Sequence, residues 1–256
     1  MEVSNPPSFE IPVPHPTARI ILTPPRLNDG AAVIAALNDR RVYMNLTSPP
    51  YPYTLDDWRL WFKDISDVAG HNAEKLQQIT NHPGPVSGDA ARAKQIWSGW
   101  VGWFSSIREI LSDEDKTDRY LGEITVGRSR FLFIPDEAER AKTRHGNDSL
   151  AAGDPNIVWE VGFYLASEHH GRGVMTRVLQ TVMSEVLIPG YNVHHMVATY
   201  FEHNIASKRV LEKCGFDYVT TVPNVHTLEP GKTGGQEGQT VGLGVMKWES
   251  KAAGEA

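Results

Sequence analysis

The sequence predicts an α/β domain in which helices flank a mixed, mostly antiparallel, twisted sheet. Residues 100–107 and 120–126 are strand-like apolar runs, and the charged, Asp-rich segment between them favours an antiparallel pair. Residues 157–165 are dense in apolar and aromatic side chains, which indicates a central strand. From Val174 to Leu187 apolar residues recur at a spacing of four in two rows, so this segment is predicted to be a helix packed against the sheet.

Shorter elements extend this outline at both ends of the chain. Residues 19–22 form a strand-like run, and Asn28 or Asp29 can begin a helix after it. Thr54 begins a second helix, in which aromatic and apolar residues recur at helical spacing. Two further strands are predicted nearer the C-terminus, at residues 197–200 and 241–248.

Polar and Pro-rich segments bound the predicted domain. The Pro-rich residues 1–18 are expected to form a flexible arm, residues 249–256 a tail, and residues 19–248 a single domain. Two polar stretches without apolar periodicity, near residues 70–95 and 130–155, are predicted to be loop insertions. The packed core is therefore expected between these segments.

The composition excludes several classes of protein. With 256 residues, 40% of them apolar, the chain is long and apolar enough to bury a core. Cys214 is its single cysteine, which excludes both an intramolecular disulfide and a Cys-based zinc cluster. The balance of 25 Lys and Arg against 31 Asp and Glu gives a net charge of −6, whereas nucleic-acid-binding proteins normally carry a basic patch. We therefore expect no nucleic-acid partner.

The hydropathy pattern predicts a soluble, cytoplasmic protein. No segment approaches the roughly 18 uncharged apolar residues that a membrane span requires. Residues 1–16 have neither the basic nor the apolar region of a signal peptide. No membrane partner is expected, and the sequence leaves open whether the protein is a monomer or a homodimer.

A pair of glycines follows the predicted central strand. Gly171 and Gly173 allow a tight turn in which successive N–H groups point to one spot at the start of a helix, an arrangement that binds phosphate. Thr176 occupies the place of the third glycine of a dinucleotide-binding fingerprint, and no Gly-Lys-Ser/Thr follows as in a P-loop. A nucleotide-binding protein is therefore the weaker interpretation of this turn.

Other candidate residues lie near this turn. Glu160 has apolar neighbours in the central strand, which favours a buried or cleft-facing carboxylate over a solvated one. Asn204 precedes a helix that ends at Gly215, and it can act as the N-cap or contact a ligand. No metal site is expected, because no Cys or carboxylate stands at ligand spacing from the two His-His pairs.

Together these blocks resemble the GNAT superfamily of N-acetyltransferases, and especially its branch of ribosomal-protein alanine N-acetyltransferases. Residues 168–173 are similar to the superfamily's pyrophosphate-loop pattern Gln/Arg-x-x-Gly-x-Gly/Ala, with Glu168 in place of the first residue and Arg172 as a compensating charge. Residues 204–216 are similar to the pattern Asn-x-x-Ser-x-x-x-Leu-Glu-Lys-x-Gly-Phe. Further similar blocks, which bring the match to nearly the whole span from Arg19 to Trp248, are Glu160–Leu165, Tyr120–Ile124 and Thr23–Leu27.

The resemblance implies a fold, a reaction and a binding site. The sheet would be splayed after its fourth strand, here residues 160–165, with the pantetheine arm of acetyl-CoA between this strand and residues 196–200. The reaction would be acetyl transfer from acetyl-CoA to a primary amine of a small molecule or a protein N-terminus, by direct attack in a ternary complex. The residues expected to bind acetyl-CoA are Phe163, Tyr164, Leu165, His170, Gly171, Arg172, Gly173, Val174, Met175, Thr176, Asn204 and Ser207.

The chemistry of this reaction assigns the catalytic residues. An ammonium group must lose a proton before it attacks, and the developing oxyanion needs N–H donors. Glu160 is the predicted base, acting through water, and the backbone N–H groups around residues 163–165 are the predicted oxyanion donors. In many GNAT members a Tyr seven residues after the Asn protonates the thiolate, but Leu211 stands there. Ser207 is the candidate in its place, and the thiolate could also leave unaided.

An alternative of another class remains open at this point. The absence of the Tyr and the presence of Glu168 favour a non-catalytic CoA-binding or sensory module of the same fold. The sequence does not identify the acceptor amine, whose specificity is expected in the N-terminal helices and in the two insertions.

Overall fold

Nine strands of the chain join in one sheet. A computed structural model describes residue 5, residues 10–67, the backbone of residues 100–101, and residues 104–250. Within these residues the strands are β1 (Ile11–Val13), β2 (Ile20–Thr23), β3 (Trp100–Val101), β4 (Ser106–Ser112), β5 (Thr117–Arg128), β6 (Val158–Leu165), β7 (His195–Phe201), β8 (Asp217–Thr227) and β9 (Thr240–Glu249).

The order of the strands is β1-β2-β4-β5-β6-β7-β9-β8, with β3 paired to β5 outside this path. β6 and β7 are parallel, and the other described pairs are antiparallel. The predicted mixed, mostly antiparallel α/β fold is confirmed.

Helices pack on both faces of this sheet. They are α1 (Gly30–Asn38), α2 (Arg40–Tyr43), α3 (residues 55–67), α4 (Glu137–Ser149), α5 (Val174–Thr181), α6 (Ile188–Tyr191) and α7 (Ile205–Lys213). A π-helical segment, Val182–Leu187, joins α5 to α6. Thr54 caps α3 as predicted, since Thr54 N donates to Asp57 Oδ2 at 2.8 Å and Asp57 N donates to Thr54 Oγ1 at 3.3 Å.

The two apolar rows predicted for the helix after Gly173 are buried against one face of the sheet. Val174, Val178 and Leu179 are no more than 1% exposed and pack in the larger core cluster with residues of β5, β6 and β7. Burial of each such side chain stabilises the fold by about 1.5–3 kcal/mol. On the other face, α1, α2 and α3 pack against Tyr120 and contribute a second cluster, which includes Val33, Leu37, Val42, Trp58 and Phe62.

The sheet is splayed between β6 and β7. Val158, Trp159 and Glu160 pair with residues 195–197, and beyond Glu160 the two strands separate. The expected fold is splayed after its fourth strand. In this chain that strand is β6, because the short strands β1 and β3 are added to the three that are expected before it.

The structure differs from the predictions in three segments. Ile11–Val13 belong to the sheet rather than to a flexible arm, because they pair with β2 and bury Val13. Residues 100–107 are divided between β3 and β4 rather than forming one strand. α4 occupies half of the predicted 130–155 loop insertion, and Asp136 caps it by accepting from Glu139 N at 2.7 Å.

Each difference has a physical cause. α4 is charged on every side and so has no apolar face that a sequence pattern could reveal. β8 was not predicted, because it is an edge strand with mostly exposed, polar residues. The predicted insertion at residues 70–95 lies outside the described residues, as do residues 251–256 of the predicted tail 249–256. Glu249, the first residue of that predicted tail, is the last residue of β9.

Candidate active site

A cavity of about 940 Å³ opens where β6 and β7 separate, and we call it the main cavity. Its walls come from α1, the segment before α3, β5, β6, β7 and α7. Glu123 is paired with Tyr164, and Gly127 with Glu160, so these side chains share one face of the sheet. The main cavity therefore has two carboxyl groups and a tyrosine on one wall.

The hydrogen bonds between β5 and β6 determine which main-chain groups face the gap. Ala166 N donates to Leu121 O at 2.8 Å, and Ser129 N donates to Val158 O at 2.9 Å. Bonded and non-bonded pairs alternate along an antiparallel ladder, so the even-numbered residues of β6 bond to β5. The N–H groups of Phe163 and Leu165 consequently point away from β5 into the gap, whereas that of Tyr164 is used in the sheet.

The glycine turn lies directly after this strand edge. Gly171 and Gly173 have φ angles of 75° and 79°, a region that favours glycine, and a Cβ added at either would meet no atom within 4 Å. The first turn of α5 begins with Val174, and the first N–H to bond back is that of Arg177, to Gly173 O at 3.3 Å. The N–H groups before it are free for an anion, as at other helix N-termini.

The side chain of Arg172 connects the glycine turn to Glu109 on β4. Its guanidinium donates to Glu109 Oε1 at 2.6 Å, and Arg119 donates to Glu109 Oε2 at 2.7 Å. The two guanidinium groups, Arg172 foremost, hold the pKa of Glu109 at about 2. The side chain of Arg172 is thus held against β4 by Glu109, and its role as the charge that compensates for Glu168 stays a prediction.

The remaining predicted residues of the turn contribute mainly through the backbone. Val174 and Met175 are 1% and 5% exposed and point into the core, so only their N–H groups can meet a ligand. His170 Nε2 bonds Leu165 O at 2.9 Å and fixes the end of β6. Thr176 is half-buried on the first turn of α5.

Asn204 and Ser207 lie on the opposite side of the main cavity. Asn204 is the N-cap of α7, since Ser207 N donates to its Oδ1 at 3.1 Å. Its amide Nδ2 donates to Ser207 Oγ at 2.9 Å, which leaves the Ser207 hydroxyl proton available to another group. Leu211, in the place of the expected Tyr, also lines the cavity.

Glu160 is half-buried in the cavity wall, as predicted for a cleft-facing carboxylate. Its Oε2 accepts from Arg130 N at 2.8 Å and from Ser129 Oγ at 3.2 Å. Phe131 N donates to the same Ser129 hydroxyl at 3.1 Å, and Phe131 has a φ of 52°, which is uncommon for a residue other than glycine. This strained turn orients the Glu160 carboxylate.

Glu123 was missed as a candidate by the sequence reasoning. It is 6% exposed, and its Oε1 has no hydrogen-bond partner among the described residues. Burial, together with the negative charge of Asp29, raises the pKa of Glu123 to about 8, although the hydroxyls of Tyr120 and Tyr164 act in the opposite direction. A partial signal was present, since Glu123 interrupts the apolar run from Tyr120 to Val126, much as Glu160 interrupts that of β6.

A buried ion cluster supports this side of the site. Arg108 is 2% exposed and donates to Asp29 Oδ2 at 2.5 Å and to Asp118 Oδ1 at 3.1 Å. Its Nε donates to Thr23 Oγ1 at 2.8 Å. Asp29 is thereby neutralised just ahead of α1.

The described residues contain neither a membrane-spanning helix nor a cluster of metal-ligating side chains. None of the helices found there is long and apolar enough to cross a membrane. No group of three or more His, Cys, Asp or Glu side chains in those same ranges could hold a metal ion.

The splayed sheet, its unpaired strand edge and the glycine turn give this α/β domain an open slot between two strands. The sequence profile of the acetyltransferase (GNAT) domain matches residues 19–217, and the chain therefore belongs to the GNAT acetyltransferase family. No curated protein has a sequence that matches this chain.

Solved structures share this fold at low sequence identity. A GNAT-family acetyltransferase from Bacillus anthracis has a TM-score of 0.55 and 12% identity, over 94% of this chain and 98% of that one. Mycobacterium smegmatis RimJ, in complex with a CoA-disulfide, has a TM-score of 0.55 and 12% identity, over 98% and 91%. The ribosomal L7/L12 acetyltransferase RimL, with CoA, has a TM-score of 0.50 and 11% identity, over 93% and 98%. At these sequence identities the three structures show that the fold is shared.

Proposed function

We propose that residues 19–248 act as one N-acetyltransferase domain that transfers an acetyl group from acetyl-CoA to a primary amine of a small molecule or a protein N-terminus. One observation carries the proposal. The unpaired strand edge of Phe163 and Leu165 runs directly into the glycine turn and the N-terminus of α5. These donors form a continuous line that suits a pantetheine amide at one end and a pyrophosphate at the other.

Acetyl-CoA fits the chemistry of this line. The open space in front of Gly171 and Gly173 leaves room for the phosphates against the backbone, where any Cβ would intrude. The amide of Asn204 and the hydroxyl of Ser207 face the pantetheine slot from α7. The neighbours RimL and Mycobacterium smegmatis RimJ, whose structures contain CoA or a CoA-disulfide, support acetyl-CoA as the co-substrate.

The catalytic roles follow from the same geometry. The N–H of Phe163 donates to the developing oxyanion, with that of Leu165 beside it. Glu160, held by Ser129 and Arg130, positions water that carries a proton to solvent. Ser207 can donate its hydroxyl proton toward the sulfur. Acetyl-CoA supplies the activated acyl group and a good leaving group.

Thiol release tests this function. The protein would be incubated with acetyl-CoA and a panel of amines, including peptides with N-terminal Ala or Ser and aliphatic polyamines, while free thiol is followed. We expect amine-dependent thiol release with at least one acceptor. Tight CoA binding without turnover on any amine would instead indicate the non-catalytic module, and absence of CoA binding would overturn both interpretations.

Replacement of Gly173 by Val tests the pyrophosphate site. The side chain would enter the open space before α5, at a φ of 79° that a β-branched residue rarely adopts. We expect CoA affinity, measured by calorimetry, to fall at least tenfold, or roughly 1.4 kcal/mol. Gly234→Val is the control, because Gly234 also has a positive φ of 70° and open space around it but does not line the main cavity. Unchanged CoA affinity in a folded Gly173→Val protein would exclude this turn.

Asn204→Asp separates capping from cofactor binding. Asp caps a helix as well as Asn does, but it lacks the amide donor. We expect an unchanged melting temperature and an increased Michaelis constant for acetyl-CoA. Asn204→Ala is the comparison, since it removes both functions. A loss of stability with an unchanged Michaelis constant in the Asp variant would leave Asn204 a structural role only.

A further inference from the structure

Glu123 lies in the main cavity at nearly the same level of the sheet as the donor Phe163. Phe163 pairs with Ile124, the residue next to Glu123, and Glu123 itself pairs with Tyr164. Glu160 is three residues from Phe163 along β6, which is about 10 Å at the rise of a strand. Along the strand direction, the Phe163 N–H is therefore one residue level from Glu123 and three from Glu160.

Among the described residues, no Lys, Arg or His side chain forms an ion pair with Glu123. The side chains that shift the pKa of Glu123 are Tyr120 on its own strand, Tyr164 on β6 and Asp29 ahead of α1. Tyr53, ahead of α3, is buried on the same side, and the charge of Glu123 raises the pKa of its phenol further. Buried carboxylates are normally paired with a cation, so this site is suited to a carboxyl that carries a proton until a cation arrives.

The tyrosines around Glu123 are mutually bonded. The hydroxyl groups of Tyr120 and Tyr164 are hydrogen-bonded to each other at 2.8 Å, while the carboxylate of Asp29 accepts from Arg108. Oε1 of Glu123 is the polar atom that remains without a partner in this described cluster. An ammonium group entering the main cavity would supply both the missing charge and the missing donor.

We propose that Glu123 is a catalytic residue that transfers a proton from the ammonium group of the acceptor to the sulfur of CoA. The proposal rests on the proposed function, and it makes Glu123 rather than Ser207 the donor of the thiol proton, the role that Leu211 cannot fill. It also specifies the acceptor, which enters this carboxyl and tyrosine cluster as a cationic amine.

Two carboxyl groups account for the protons of the reaction. Glu123 gives its resting proton to solvent when the ammonium group binds and regains it when the products leave, so this proton does not enter the balance. The Glu123 carboxylate takes one proton from the ammonium, and the nitrogen lone pair then forms the C–N bond as the carbonyl electrons move to oxygen. The nitrogen loses its second proton to the water held at Glu160. When the carbonyl re-forms, the C–S bond breaks with its electron pair on sulfur, and Glu123 protonates that sulfur. One proton per turnover reaches solvent, and Glu123 is again a carboxylate.

The pKa values of the CoA thiol and the Glu123 carboxyl support this proton transfer. A thiol has an unperturbed pKa of about 8.5, close to the pKa of about 8 to which burial raises Glu123. Proton transfer between groups of similar pKa is nearly balanced in free energy, so Glu123 can accept and release the same proton within one cycle.

Infrared titration tests whether Glu123 is next to the sulfur, without any turnover. The C=O band of a buried, protonated carboxyl would be followed against pH in the wild type, alone and with CoA or desulfo-CoA, which lacks the sulfur. We expect a band that is absent in Glu123→Gln and present in the exposed-turn control Glu114→Gln. A neighbouring thiolate disfavours the carboxylate, so CoA should move the midpoint to higher pH than desulfo-CoA does.

Three outcomes are distinguishable. Equal midpoints with CoA and desulfo-CoA, both bound, would overturn the Glu123 proposal and leave the proposed function intact. Failure of both ligands to bind would overturn the proposed function itself. A band that persists in Glu123→Gln would show that another carboxyl carries the proton, which also overturns the proposal.

Kinetics provide the second measurement. Glu123→Gln is close to isosteric, and we expect kcat to fall on the order of 10² to 10⁴ with the acceptor that the thiol-release screen identifies. The KM for acetyl-CoA should stay near the wild-type value, because Glu123 is not one of the donors in the pantetheine line. Wild-type kcat in Glu123→Gln would contradict the proposal.

Discussion

Glu160→Gln is expected to lower kcat on the order of 10² while CoA affinity and folding remain those of the wild type. Gln retains the shape of Glu160 and can still accept from Arg130 N and Ser129 Oγ through its carbonyl oxygen. Only the ability to take a proton is removed. The measurement is steady-state kinetics with the identified acceptor, together with calorimetry for CoA.

A second substitution, in the turn that contains Ser129, should have a smaller effect on kcat than Glu160→Gln. Ser129→Ala removes one of the two donors that orient Glu160 but leaves its carboxylate, so a smaller loss of kcat is expected. Glu114→Gln, in the exposed turn between β4 and β5, should change neither quantity. Wild-type kcat in Glu160→Gln at neutral and mildly alkaline pH would show that Glu160 has no part in proton removal.

Arg108→Ala is expected to have the largest effect on stability. It would leave Asp29, which is 4% exposed, as a buried negative charge without its partner, and Asp118 would lose one of its two guanidinium contacts. Removing one member of a buried ion pair destabilises a protein by about 3–5 kcal/mol. Urea denaturation would measure the change in the free energy of unfolding.

An exposed ion pair in the same sheet is the matched control. Arg19 contacts Asp113, and their side chains are 60% and 71% exposed. Pairs of this kind contribute about 0–1 kcal/mol, so Arg19→Ala should leave the free energy of unfolding almost unchanged. Equal losses in the two variants would mean that burial does not determine the contribution of the Arg108 cluster.

The fold was predictable where burial imposes a period on the sequence. The rows that begin at Val174 and Met175 repeat because one face of α5 must meet the sheet, and β6 is apolar because it lies in the middle. α4 has no such face, and β8 lies at an exposed edge, so neither leaves a periodic pattern. The pairing of residues 11–13 depends on a distant partner strand, which local composition cannot indicate.

The candidate site was predictable where a local motif specifies the backbone. Gly171 and Gly173 adopt the positive φ angles that a tight turn requires, and Asn204 caps its helix. The partners of Arg172 and the surroundings of Glu123 are set by long-range strand pairing instead. For this reason sequence spacing could not indicate that Glu109 binds Arg172 or that Glu123 is buried beside Tyr120, Tyr164 and Asp29.

The strand order determines when, during synthesis, the walls of the slot between β6 and β7 are complete. β9 lies between β7 and β8 although it follows both in the chain, so β7 is a bare sheet edge until β9 has been made. β7 is also the far wall of the ligand slot. The half of the sheet from β1 to β6 can assemble early on the ribosome, as N-terminal segments generally do. The wall of the slot is complete only when residues 240–249 have been made and pair with β7, so the segment from β1 to β6 cannot form the slot by itself.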